Sequence, residues 1–108
     1  MATADEPIWI SRIAVDAIHF DQLRQHGGLP GLKDENALES ALARPRNKRV
    51  YKNADLALLA AAYGYGLATN HGYIDGNKRT AFSVMYTFLG VNGWEIEAPE
   101  TEIVSLML

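Results

Sequence analysis

The sequence predicts a compact all-α domain of about five or six helices with at most a short extended flap. Three observations lead there. Nearly uncharged runs from Leu56 to Asn70 and from Thr80 to Asn92 flank a single polar turn; apolar residues near the start recur at helical spacing; and 108 residues suffice for one core but not two. A hydrophobic content of 48% and a charged content of 21% are those of a soluble globular protein.

The first helix is expected from about Ser11 to His26, with Ser11 as N-cap and Gly27-Gly28 as the stop. Ile10, Ile13, Ala14, Ala17 and Ile18, broadened by Phe20 and Leu23, form its core-facing stripe, and His19 and His26 are given no role beyond packing or surface. Pro30-Gly31 turns the chain, and Asp34 caps a short helix from about Glu35 to Ala43 that Arg44-Pro45 ends. The next helix, about Ala54 to Asn70, is apolar nearly all round, as a central helix should be. Gly64 and Gly66 in it each cost about 1 kcal/mol relative to alanine, which points to tight helix crossings. A helix from Asn77 to Asn92 buries Ala81, Val84, Met85, Phe88 and Leu89. Trp94 to Ala98 is extended, and Pro99-Glu100 opens a last helix with Ile103, Val104, Leu106 and Met107 facing inward.

The chemistry concentrates in His71-Gly72-Tyr73-Ile74-Asp75-Gly76-Asn77-Lys78-Arg79-Thr80. Gly76 can take positive φ, so the backbone can curl and aim successive N–H groups at one spot, with Asn77 as N-cap of the following helix. Unpaired N–H groups at a helix start favour phosphate, and Lys78 and Arg79 add full charges there. Asp75 would repel a phosphate unless a cation lay between them, which suggests a Mg²⁺ ligand. His71, a residue type that titrates near neutrality, could take a proton from an attacking hydroxyl. Base, metal ligand and phosphate cradle together make a kit for phosphoryl or nucleotidyl transfer. A P-loop does not fit, because Arg79 follows Lys78 where a Ser or Thr is needed, and Asp75-x-Asn77-x-Arg79 lacks the third oxygen ligand of a calcium loop.

This stretch resembles the signature of the Fic/Doc family, H-x-F-x-D-G-N-K-R in its death-on-curing (Doc) branch. Gly31-Leu32-Lys33-Asp34, Leu38-Glu39-Ser40-Ala41-Leu42 and Pro45 resemble the upstream block, and Phe88-Leu89 and Asn92-Gly93 the downstream one. The resemblance implies a single Fic/Doc-like helical domain over residues 1–108, with His71 as catalytic base, Asp75 holding metal and phosphates, and Gly76, Asn77, Lys78 and Arg79 binding nucleotide phosphates. Lys78 implies the Doc branch, whose members use ATP and Mg²⁺ to transfer the γ-phosphoryl group to a threonine of elongation factor Tu and so arrest translation; AMP-transferring Fic proteins carry glycine there. Lys78 thus joins His71 and Asp75 as a catalytic residue. Further implications are a Phd-like antitoxin as partner and a cytoplasmic protein of bacterial, plasmid or phage origin. No Ser or Thr begins the family's self-inhibitory motif, so restraint is expected from that second protein. The family's further C-terminal helical segment is expected to be shortened here, since the sequence ends at Leu108 on an apolar run. Two positions depart from the pattern. Gly72 stands where the family has proline and is expected to loosen the loop, and Tyr73 replaces phenylalanine, adding a hydroxyl that needs a partner. AMP transfer to a protein hydroxyl, and an antitoxin-binding regulatory module with weak catalysis, are the competing readings.

Arg44, Arg46, Lys48, Arg49 and Lys52 form a basic cluster in a chain of net charge −3. It reads either as a solvated face or, by resemblance, as a flap beside the active site where Arg46, Lys48, Arg49, Val50 and Tyr51 dock the target, Val50-Tyr51 supplying a strand edge. The net charge disfavours direct nucleic-acid binding. Absence of cysteine excludes a disulfide scaffold and a thiolate metal site. The acidic start is unlike a signal peptide, and the uncharged run from Leu56 to Ile74 reads as a buried helix with no membrane role, because Thr69, Asn70 and His71 interrupt it.

Overall fold

The computed structural model describes residues 6–52 and 55–94. Among these lie four helices: α1 Arg12–His26, α2 Glu35–Lys52, α3 Leu56–Asn70 and α4 Asn77–Val91. The expected count of five or six is therefore lowered to four for the described residues. The extended stretch after Trp94 and the helix opened by Pro99-Glu100 fall outside them.

Side-chain caps account for four of the eight helix ends. Ser11 Oγ accepts from Ala14 N at 3.1 Å, Asp34 Oδ1 from Ala37 N at 3.0 Å, and Asp55 Oδ1 from Leu58 N at 2.9 Å. The last of these sets the start of α3 two residues later than expected. Asn92 ends α4, donating Nδ2–H to the carbonyls of Phe88 and Ile8 while its Oδ1 accepts from Ile8 N.

The core forms where α3 packs between α2 and α4, with α1 laid against α4. Leu59, Tyr63 and Leu67 of α3 meet Leu38, Ala41 and Leu42 of α2 and Ala81, Val84, Met85 and Phe88 of α4. Each large side chain buried here contributes roughly 1.5–3 kcal/mol. Tyr63 also accepts from Ile10 N at 3.1 Å, which settles its hydroxyl inside the core. A Cβ on Gly66 would lie 3.3 Å from Ala41 Cα, Cβ and O, so the glycine sets a close α2–α3 crossing.

Two expectations about elements are corrected. The second helix does not end at Arg44-Pro45 but continues through Pro45 to Lys52. Proline forfeits one helical hydrogen bond; its ring is fully buried here, and that packing offsets the loss. Val50 and Tyr51 accordingly have helical backbone and provide no strand edge. The predicted stripe of α1 is also wrong in part: Ile13 is 82% and Phe20 70% exposed, and Ala17 is exposed too. The buried residues of α1 are Val15 and His19, on nearly the opposite side. Hydrophobic periodicity missed this because the face that docks carries a histidine and an aspartate engaged with the polar turn.

Candidate active site

Residues 71–76 join α3 to α4. His71 closes α3 in the left-handed conformation, φ 54° and ψ 52°, where histidine is tolerated better than most residues but still carries strain. Gly76, at φ 76°, starts α4 as its N-cap. The expectation for this glycine holds; that for Asn77 as N-cap does not, since Asn77 is the first residue of the helix. Its amide serves another purpose. Oδ1 accepts from Tyr73 N at 3.1 Å and Nδ2 donates to Tyr73 O at 2.8 Å, so the side chain clasps the loop backbone from both sides.

The loop is fastened to the segment before α2 as well. Gly72 O accepts from Lys33 N at 2.8 Å and Asp34 N at 3.1 Å, and Ile74 N donates to Gly31 O at 3.0 Å, around an isolated antiparallel bridge between Leu32 and Tyr73. This contact explains why the Gly31–Asp34 block accompanies the turn. It also corrects the loosening expected of Gly72. A Cβ there would stand 2.7 Å from Leu38 Cβ and 3.0 Å from Leu38 Cα, so glycine permits close approach to α2. Gly72→Ala is expected to destabilise the chain by about 1–3 kcal/mol through overpacking, read as a lowered midpoint in urea.

Tyr73 is buried, and its hydroxyl donates to Asp16 Oδ1 at 2.6 Å, the partner that the departure from phenylalanine required. Asp16 is held by Arg12 Nε at 3.0 Å, and Arg12 also reaches Glu39 at 2.8 Å and Glu35. Burial, then the bond to Asp16, pushes the Tyr73 phenol above its ordinary range. A raised folded-state pKa means that its contribution is whole below pH of about 10 and is lost as pH rises beyond it. Alkaline denaturation should therefore weaken the wild type more steeply than Tyr73→Phe, measured by urea titration from neutral pH upward.

Asp75 accepts from Leu29 N at 3.1 Å through Oδ2 and from Gly76 N at 2.8 Å through Oδ1. Those two N–H groups, Leu29 first, hold its carboxyl below the usual range, so it stays ionised. The first intrahelical bond of α4 is Thr80 N to Gly76 O at 3.0 Å, which leaves the N–H groups of Asn77, Lys78 and Arg79 at the helix start. His71, Ile74, Asp75, Gly76, Asn77, Lys78 and Arg79 line one cleft of about 440 Å³. The structure thus brings the expected base, carboxylate, anion cradle and cations together.

Among the described residues, Arg44, Arg46, Lys48 and Arg49 of the basic cluster do not line this cleft. Arg46 lies over the Trp9 ring at 5.3 Å and Arg49 pairs with Glu6 at 3.0 Å, while Arg44 and Lys48 border a separate groove with Leu58 and Tyr65. Among the described residues no group of three or more His, Asp or Glu side chains could enclose a metal. A single carboxylate is still enough for Mg²⁺, which takes most of its ligands from substrate phosphates and water, and each Asp75 oxygen keeps a free lone pair. Sequence reasoning missed His19, whose Nε2 lies 2.8 Å from Asp75 O and whose ring stacks on Tyr73 at 3.6 Å and 6°. The available signal was the recurrence of Arg12, Asp16 and His19 at helical spacing on one face.

Residues 9–89 match the Fic/DOC family profile. The protein kinase doc of Escherichia phage P1 is 34% identical over 86 residues, spanning 78% of this chain and 68% of that protein. The toxin Doc of Mycolicibacterium smegmatis is 40% identical over 74 residues, spanning 67% of this chain and 57% of that protein.

Proposed function

The chain belongs to the Fic/DOC family, and on that premise we propose that it is a Doc-type toxin that transfers the γ-phosphoryl group of ATP to a threonine or serine hydroxyl of a translation protein. One observation carries the reading: a strained, exposed His71 shares a cleft with the start of α4, Lys78, Arg79 and the ionised Asp75. His71 takes the proton of the target hydroxyl. The freed oxygen attacks the γ-phosphorus in line, the bond to the β-phosphate oxygen breaks, and ADP leaves. The N–H groups of Asn77, Lys78 and Arg79, with the two side-chain cations, hold the phosphate charge. Asp75 would hold Mg²⁺, which when bound neutralises phosphate charge. The relatives named a protein kinase and a toxin support this branch. By the resemblance the target is elongation factor Tu and restraint comes from an antitoxin.

The test is to incubate the chain with ATP, Mg²⁺ and elongation factor Tu and weigh the intact target. Gain of one phosphoryl group supports the proposal. Gain of one AMP overturns the use made of Lys78, and no gain without growth arrest on expression favours the antitoxin-binding module. Lys78→Gly is expected to divert product toward AMP transfer by making room for the opposite nucleotide orientation, read by which ATP phosphate label reaches the target.

A further inference from the structure

The peptide that precedes α4 is held by a residue that does not line the cleft. His19 is buried on α1, 6% exposed, and is absent from the cleft wall. Its Nε2 stands 2.8 Å from the Asp75 carbonyl oxygen. A carbonyl only accepts, so Nε2 carries the hydrogen. That carbonyl belongs to the planar peptide whose other end is Gly76 N–H, which donates to Asp75 Oδ1 at 2.8 Å. The peptide is therefore pinned at both ends. The next rotatable joint is Gly76, at φ 76° and ψ 16°, and the N–H groups of the cradle follow directly.

His19 is itself held in place. Its ring lies flat on Tyr73, whose hydroxyl is anchored by Asp16 and, through Asp16, by Arg12. We infer that His19 is a positioning residue: through its Nε2–H bond to Asp75 O it fixes the peptide that aims the N-terminus of α4 at phosphate. The inference rests on the phosphoryl-transfer reading, and its test separates the two.

The alternative is that the ring simply fills space against Tyr73, and two substitutions divide these roles. His19→Phe keeps a flat ring for the stack and removes the donor. His19→Gln keeps an N–H at similar reach and removes the ring. Using the full chain, single-turnover transfer from ATP and calorimetric binding of inorganic tripolyphosphate are compared. His19→Phe should lower both the transfer rate and tripolyphosphate affinity by about tenfold or more, with KM for the target protein unchanged. His19→Gln should stay within about threefold of wild type on both. Wild-type values for His19→Phe, or an equal fall in the two variants, would overturn the assignment. If the wild type transfers nothing, the function proposed above fails, and tripolyphosphate affinity alone decides for His19: weaker binding by Phe than by Gln supports it, and equal binding overturns it. Should His19→Phe not fold, His19→Gln still decides, since loss of affinity there shows that the N–H is not what matters.

Discussion

Replacing His71 by alanine is expected to lower phosphoryl transfer by about 10²–10⁴-fold, the contribution typical of a positioned general base. ATP affinity should stay within about threefold of wild type, because the groups proposed to hold phosphate belong to Gly76 and α4. Among the described residues the exposed imidazole of His71 makes no hydrogen bond or ion pair, so its removal costs the fold no such bond. Single-turnover transfer with saturating ATP, beside calorimetric ATP binding, measures both quantities. Full activity in His71→Ala would show that another group takes the proton.

The left-handed backbone at His71 permits a sharper form of that experiment. Glycine occupies φ 54° without strain, whereas alanine pays roughly 1–2 kcal/mol there. His71→Gly should thus be as inactive as His71→Ala but more stable, and at least as stable as the wild type. That outcome would support a chemical role for the side chain over a structural one. If His71→Gly proved less stable than His71→Ala, the ring would have to be making packing contacts that its exposure does not suggest.

How far the site could be read from the sequence depended on distance along the chain. His71, Asp75, Gly76, Lys78 and Arg79 lie within one short stretch, so their spacing was enough to expect them in one cleft. The helices of the core were legible for a similar reason, since α3 and α4 are apolar over most of their surfaces. What the sequence hid was pairing between distant residues. His19 meets Asp75 across 56 positions and Tyr73 meets Asp16 across 57, and neither partner is apolar enough to mark the buried face of α1. Pro45 misled for a different reason. Its local rule was sound, but a fully buried ring inside α2 outweighed the hydrogen bond it gave up.

Asn77 is the case where the local rule chose a cap role that the geometry gives to Gly76, and it gives the second large effect. If its side chain only held phosphate, its loss would cost the free chain little stability. In the structure its amide stands in for a strand partner, bonded to Tyr73 N and Tyr73 O while the Tyr73 ring is buried below. Asn77→Ala leaves both backbone groups without those bonds, and it should cost about 1–3 kcal/mol, a fall in Tm on the order of 10 °C. Asn77→Asp retains the acceptor for Tyr73 N but sets a carboxylate oxygen against the Tyr73 carbonyl, so it should be no more stable than the alanine variant. The clasp also holds the loop between His71 and the start of α4, so transfer should fall in both variants. Thermal melts followed by circular dichroism decide between the roles. A variant that melts with the wild type yet binds ATP more weakly would assign the Asn77 side chain to phosphate, and one that melts early identifies it as the residue that closes the loop before α4.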